Sequence, residues 1–588
     1  MIDLSPQQRE IVDAPLKPMA VSACAGSGKT ATAVRRLAAM RKRLDDSHGH
    51  IALLSFSNVA VDTFNKDYNA LLQAKPGDGR RGGVEIATVD AFITSNIIRP
   101  HGHLVMGCAR TPFLVHGSEP FLANFTVWDG KRPQPTTALQ PVAVKGAGLQ
   151  FEVGRAKTVV DPKAATEAIR KLAGVGAYSH ALGSLWALKV LMTQPLIRRA
   201  LARRYPHILV DEAQDIGKQH QLILMALQGA GAQVSLIGDV NQGIYEFSGA
   251  TGAFLGQYAA RDDVDSRMLE TNFRSVPKIV AIANKLSGRT DTAARTASET
   301  LSGAYYFGYK KGEKDNALKS FAALLGQAGI AINDAAVLCR SAEWAADWAD
   351  GEEEQGQGVL RLFVNAAIQR DKFGRFDDAF EYCCAGVVSL LDYSHGALLS
   401  ELFRRGGGER SFQSLRRLLW TFVKDPARGL PLASLVADTV WQPTLLARAE
   451  ALLAALSAEH GLKAATNWKA KLAKRKILNQ PLMRSAGLGI EDVPKFRVST
   501  VHKVKGESIR GVLYICNRSH LDELLGGTGT EVGKIGYVAL TRARDLFVLG
   551  VPATNLEEFA PKLDALGFRK AGGAQSRVRK PERKAEGD

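Results

Sequence analysis

Ala23-Cys24-Ala25-Gly26-Ser27-Gly28-Lys29-Thr30 is the stretch on which the reading of the fold turns. It follows the apolar run Met19-Ala20-Val21-Ser22 and opens into an Ala-, Leu- and Arg-rich segment at 31–40. Strand, glycine-rich turn and helix, in that order, are the context a phosphate-binding loop requires. Gly26 and Gly28 let the backbone curl until successive N–H groups face one anion. The helix that follows adds the positive end of its dipole. Lys29 then reaches the outer phosphates, and the Thr30 hydroxyl stands ready to ligate Mg²⁺. Residues 23–30 are therefore expected to bind a nucleoside triphosphate. Ala23 occupies a position where the general pattern has Gly, a change that removes no donor.

Outward from the loop, short apolar runs alternate with helical patterns. Ser5-Pro6 is a helix-start signal just upstream. Strands are expected at 51–57 and 84–89, with Asn58 and Asp90 as caps of the helices after them. Alternation resumes with a strand at 208–210, a helix at 219–228 and a strand at 233–237. A second unit is read from residue 263, with helices near 277–286 and 316–328 and a strand at 335–339. It continues with strands at 496–501 and 512–516, a helix near 534–544 and a strand at 546–550. Such alternation predicts parallel sheets covered by helices on both faces.

Two stretches break the pattern, 98–204 and 344–492, and both read as mostly helical insertions. The expected organisation is thus a first sheet domain at 1–97 and 205–262, interrupted by 98–204. A second sheet domain at 263–343 and 493–560 is interrupted by 344–492, and 561–588 reads as a basic, disordered tail.

With 588 residues the chain is too long for one core, and length alone suggests about four domains. The formal net charge of +17 favours a polyanionic partner, nucleic acid first, although a basic soluble protein has the same number. The six cysteines, Cys24, Cys108, Cys339, Cys383, Cys384 and Cys516, form no C-x-x-C pair, as expected of a reduced cytoplasmic chain. The start, Met1-Ile2-Asp3-Leu4, does not read as a signal peptide. No apolar run reaches the ~20 residues that span a bilayer, so no membrane partner is expected.

His207-Ile208-Leu209-Val210-Asp211-Glu212-Ala213-Gln214-Asp215 is the second informative stretch. An apolar strand ending in Asp-Glu puts two carboxylates at the carboxyl edge of a parallel sheet, where open α/β folds bind ligands. Beside a phosphate loop, Asp211 is the candidate Mg²⁺ ligand and Glu212 the candidate base for the attacking water.

These two stretches together resemble superfamily 1 helicases of the UvrD/Rep type, which carry Ala-x-x-Gly-x-Gly-Lys-Thr and Asp-Glu-x-Gln-Asp. Further segments resemble that family's motifs in its order. Gln8 matches the residue that reads the adenine edge, and Ser55-Phe56-Ser57-Asn58 the segment that touches single-stranded DNA. On its own, Phe56 reads better as a core residue at a strand end. Gly238 to Phe247 resembles the motif whose glutamine senses the γ-phosphate and whose aromatic stacks on bases, here Gln242 and Phe247. Asn272-Phe273-Arg274-Ser275 implies Phe273 on adenine and Arg274 at the γ-phosphate. Thr500 to Glu507 resembles the segment that couples DNA to nucleotide, with His502 facing DNA, and Tyr537 to Ala543 supplies Arg542 as a second arginine finger.

What the resemblance implies is a pair of RecA-like domains, ATP with Mg²⁺, and 3′-to-5′ motion on single-stranded DNA coupled to duplex unwinding. The strand-end segment Thr88-Val89-Asp90 departs from the family, which often has His at position 90. Ser248 replaces a frequent Arg. In Lys505-Gly506-Glu507-Ser508-Ile509 the glutamate expected at the nucleotide sugar is displaced by one position, to Glu507. Basic, aromatic-bearing stretches at 403–420 and 468–476 suit duplex DNA or a solvated helix face. His101, His103, Cys108 and His116 have the spacing of no recognised metal set. Other readings stay open: an ATP-gated nucleic-acid switch, a non-unwinding translocase working with a nuclease or repair partner, and an RNA-directed motor.

Overall fold

The computed structural model describes residues 4–44, 49–74, 83–115, 117, 119–144, 148–154, 157–245, 250, 252–296, 300–310, 312–349, 355–392, 398, 402, 410–482 and 496–571. The chain forms two compact units, Met1–Ala345 with Val493–Asp588, and Ala346–Asp492.

The first unit contains two six-stranded sheets, every pairing in them parallel. The elements of the first sheet begin with α1 (Pro6–Asp13), β1 (Met19–Ala23), α2 (Lys29–Arg43), β2 (Ile51–Ser55), α3 (Asn58–Ala74), β3 (Val84–Thr88) and α4 (Val89–Ile93). They continue with α5 (His180–Thr193), β4 (His207–Val210), α6 (Lys218–Gln228), β5 (Gln233–Gly238) and β6 (Asp265–Leu269). The strand order is β6-β1-β5-β4-β2-β3.

The inner strands are apolar on both faces, as a doubly covered parallel sheet demands. Alternate residues Ala20, Ala52, Leu54, Ile208 and Leu236 join one core with Phe92 and Tyr205. Their neighbours Val21, Ile51, Leu53, Leu209 and Ile237 join another with Val34, Leu37 and Phe64. This period of two is the strand pleat itself. Because all strands run the same way, their carboxyl ends form one rim.

Several expectations are corrected here. The second sheet domain was read from residue 263, but residues 265–269 form a strand at the edge of the first sheet, paired from Met19↔Asp265 to Ala23↔Leu269. Ser57, not Asn58, caps α3 by accepting from the Ala60 N–H, and Thr88, not Asp90, caps α4 by accepting from Ala91. A side-chain oxygen one residue before the helix reaches the third helical N–H, which fixes the cap position.

The 98–204 segment is mixed rather than mostly helical. Its helices Pro162–Gly174, α5 and Pro195–Arg204 accompany a hairpin of Thr126–Trp128 with Pro133–Pro135. A meander of Gln140–Val144, Gly148–Val153 and Thr158–Val160 completes it. Alternation at Phe151 and Val153, both buried, holds that meander to the core.

The second sheet is built from α7 (Pro277–Ser287), β7 (Gly303–Tyr309), α8 (Lys314–Ala328), β8 (Ala335–Cys339), β9 (Arg497–Thr500) and β10 (Ile509–Ile515). After these come α9 (Glu531–Arg542), β11 (Ala543–Pro552), α10 (Leu556–Leu566) and β12 (Arg569–Lys570), in the order β9-β8-β10-β11-β7-β12. Strand β7 was absent from the sequence reading. The tail expected to start at 561 is also corrected, because Leu563 and Phe568 are buried in this core and β12 pairs with β7. Residues 572–588 lie outside the described residues.

The second unit is helical where described, with helices Val359–Asp371, Phe376–Leu390, Arg410–Lys424 and Gln442–His460 around Phe363, Leu419, Trp441 and Leu453. Gly386 lies so close to the Phe363 ring that a Cβ there would be 2.8 Å from it. Phe380 and Trp420 stack 4.4 Å apart between two of the helices, which places Trp420 against this core. All six cysteines are buried thiols. Among the described residues no helix is long and apolar enough to cross a membrane. None of the His, Cys, Asp and Glu side chains among them gather into a metal-binding group.

Leu513 and Phe363 are both fully buried. Leu513→Ala should cost about 2–5 kcal/mol and Phe363→Ala about 3–5 kcal/mol in denaturant unfolding, because a cavity is left in each case. A midpoint unmoved by either change would contradict the packing described for that unit.

Candidate active site

At the carboxyl end of β1 the backbone turns through Gly26 and Gly28, both left-handed, with φ of 71° and 77°. The space at Gly26 is closed from the other side, since a Cβ there would stand 2.6 Å from Cβ of Arg274. Ser27 Oγ donates to the Cys24 carbonyl at 2.9 Å, and Lys29 Nζ lies 3.5 Å from the same oxygen. Ala23, Cys24 and Ala25 are buried beneath the turn. Burial pushes the Cys24 thiol up to about 12.

Thr30, at the second residue of α2, places Oγ1 3.4 Å from Asp211 Oδ2. Asp211 Oδ1 is buried with no hydrogen-bond partner. Burial and the neighbouring charge of Glu212 raise the Asp211 carboxyl above its ordinary range. For Glu212, burial is outweighed by the charges of Lys29 and Lys505 and by the Gln214 amide, which hold it low. Glu212 has a left-handed backbone, φ 54°, and the Gln214 amide donates to its Oε2. The other end of that amide accepts from the Asp239 N–H at 2.9 Å.

The second sheet closes the site. Arg274 follows Phe273, whose N–H donates to the Gly26 carbonyl at 2.9 Å. Arg542, at the carboxyl end of α9, is 1% exposed and donates from Nη2 to Gln242 Oε1 at 3.0 Å. Gln242 in turn donates to Asp239 Oδ2 at 2.9 Å. Burial, then the proximity of Arg542, pulls the Arg274 guanidinium down to about 9, and burial lowers Arg542 also. Two arginines short of counter-charge are a place prepared for an anion. Gly26 to Thr30, Glu212, Gln242, Phe273, Arg274 and Arg542 all line one cavity of about 360 Å³.

Other sequence candidates do not line that cavity. Gln8 has both ends of its amide engaged, accepting from the Ser5 N–H at 3.0 Å and donating to the Ser27 carbonyl at 2.9 Å. Glu507 turns its carboxylate to Arg497, at 2.6 and 2.7 Å, while Ser508 takes the place at the cavity wall. The pairing across β9 draws the glutamate away, so its assignment to the nucleotide sugar is not supported by its position. Phe56 is half-buried against the first core, Asn58 is exposed at the start of α3, and Thr88 spends its hydroxyl as a cap. His502 Nε2 lies 3.1 Å from the Ile244 carbonyl, across from the first sheet. Phe247 and His116 lie outside the described residues.

Sequence reasoning assigned no role to Lys505 and Asp215, which form a buried ion pair at 2.6 Å, with Tyr245 4.8 Å from the ammonium. The signal was present, since both residues sit inside quoted motifs. Removing one partner of a buried pair strands the other, so Lys505→Ala should destabilise the protein by about 3–5 kcal/mol. The double change Lys505→Met with Asp215→Leu should recover part of that in denaturant titration, and a double loss equal to the sum of the two single losses would mean the pair is not coupled.

Known proteins match parts of the chain. The UvrD/REP helicase N-terminal domain matches residues 4–161 and 179–260. The "ATP-dependent DNA helicase UvrD1" of Mycobacterium leprae is 27% identical over 376 residues, 58% of this chain and 47% of that protein. The "ATP-dependent DNA helicase UvrD2" of Mycobacterium tuberculosis is 27% identical over 303 residues, 48% of this chain and 43% of its own length. The "DNA helicase II" of Haemophilus influenzae is 28% identical over 295 residues, covering 48% and 40%. The chain thus spans about half the length of the curated relatives it matches. Residues 4–161 and 179–260 are thus similar to the N-terminal domain of UvrD/Rep-type helicases.

Proposed function

We propose that this chain is an ATP-dependent DNA helicase or translocase in which the two parallel sheets act as RecA-like motor domains. The observation that carries the proposal is the convergence of Lys29, Glu212, Gln242, Arg274 and Arg542, drawn from both sheets, on one cavity. In this reading Lys29 and the N–H groups of residues 26–30 hold the phosphates, and Phe273, 43% exposed, offers its ring to the adenine. Glu212, kept ionised, takes the proton of the attacking water, and Gln242 orients that water. Arg274 and Arg542 stabilise the charge that develops on the γ-phosphate.

The chemistry of Thr30 and Asp211 suits a Mg²⁺ ion. A hydroxyl and a carboxylate converge there, and one buried oxygen of Asp211 lacks any partner. Bound there, the ion would neutralise phosphate charge. Two arginines from the second sheet meet the phosphates only when the sheets are closed, so loss of the γ-phosphate releases them. Single-stranded DNA is read as lying along the rim that carries Phe56, Asn58, Thr88 and His502, stepped in the 3′-to-5′ direction. The segments 98–204 and 344–492 serve as the accessory domains of this motor, and the basic excess of the chain suits a DNA partner.

Steady-state ATP hydrolysis, with and without single-stranded DNA, tests the reading. Strong stimulation by DNA is expected, and Lys29→Ala should abolish it. Glu212→Gln should retain ATP binding and lower kcat by about 10²–10⁴-fold, the usual share of a general base. Normal turnover in Glu212→Gln would remove the base from the mechanism, and hydrolysis indifferent to DNA would remove the motor.

A further inference from the structure

Strands β2 and β3 lie at the far side of the first sheet from the phosphate loop. Beyond their carboxyl ends, groups from separate helices meet around one imidazole. His220 on α6 has Nε2 3.1 Å from Asp90 Oδ1 and 3.4 Å from Ser184 Oγ of α5. Its ring centroid is 5.9 Å from that of Phe56, with the planes inclined at 55°. The His220 side chain is 18% exposed and that of Asp90 51%.

The arrangement excludes two ordinary explanations. Both polar contacts fall on the same ring nitrogen, whereas a Ser–His–Asp relay needs the carboxylate and hydroxyl on opposite nitrogens. The group also lacks the ligands of a metal site, since no such cluster occurs among the described residues. What the contacts do is hold a ring. Burial raises the Asp90 carboxyl, but the hydrogen bond from His220 and the charges of His220 and His180 outweigh it and leave it low. A carboxylate at that position accepts from Nε2 and fixes the imidazole plane. Nδ1 has no hydrogen-bond partner among the described residues.

We propose that Phe56 and His220 form a two-ring ledge on which one base of single-stranded DNA stacks, with Asp90 as the residue that positions His220. The inference rests on the reading that DNA passes Phe56, and it adds a second ring and the support for that ring. A base has a π-face whatever its identity, so two adjacent rings bind without sequence preference. A pinned imidazole has already lost the rotamer freedom that a loose one would lose on binding, which favours affinity.

The test is binding of a fluorescent oligo(dT) to the full chain at fixed salt, followed by anisotropy. His220→Ala should weaken binding about tenfold, the order of one lost base stack. His220→Phe keeps a ring and should restore most of the affinity. Asp90→Ala should weaken binding a few-fold by itself and add nothing in the His220→Ala background, as expected of a residue that acts only through the imidazole. Thermal midpoints of the variants, matching wild type, show that the fold is intact.

Phe56→Ala separates the two levels of the argument. Weakened binding in Phe56→Ala together with wild-type binding in His220→Ala would overturn the ledge and leave the DNA path. Unchanged binding in both would overturn the path itself. If His220→Phe were as weak as His220→Ala, stacking would be wrong. An undiminished Asp90→Ala loss in the His220→Ala background would end the positioning role.

Discussion

Arg542 is nearly sealed from solvent, and its hydrogen bond to Gln242 spans the two sheets. A guanidinium in that position cannot shed its charge, so its surroundings must supply compensation. Carbonyl oxygens do part of this work. Arg542 reaches the Glu507 carbonyl, and Arg274 reaches that of Thr541. Arg295 donates to the carbonyls of both Arg274 and Arg544 and pairs with Asp545. The two segments that carry the site's arginines are therefore tied to each other before anything binds.

The same logic runs through the rest of the contact between the sheets. Lys505 with Asp215, His502 with the Ile244 carbonyl, and Thr528 with Asn241 all link the carboxyl rim of the first sheet to loops of the second. These contacts are polar and directional, and they accompany Ile244, which is buried in the core of the second sheet. Polar contacts exchange for water at small net cost, a property the proposed motor would use. The tight approach of Gly26 to Arg274 sets the limit of closure, because the only side chain small enough there is hydrogen.

Much of this was legible in sequence because it is local. The loop at 23–30 and the Asp211-Glu212 pair each follow a strand directly, and strand, turn and helix are encoded within a dozen positions. What escaped was non-local. Strand β6 leaves the sequence neighbourhood of its sheet and returns to pair with β1, so nothing near Asp265 announces the partner. Strand β7 reads Gly-Ala-Tyr-Tyr-Phe-Gly-Tyr, with no polar alternation to mark it, although its aromatic content favours a strand. Glu507 was placed by motif position, but Arg497, ten residues earlier on β9, decides where its carboxylate goes. His220 and Asp90 stand 130 positions apart, a distance no pattern reading bridges.

The six thiols are all buried, one beneath the phosphate loop and the others within the cores. Burial pushes Cys24 and Cys383 up to about 12, so little reactive thiolate exists at neutral pH. Buried thiols of this kind are poor targets for maleimides. A cysteine introduced at an exposed site on each sheet would be the dominant point of attachment, without first removing any natural one. The protein arrives ready for a pair of dyes, and the separation of its two sheets becomes a distance that light can report.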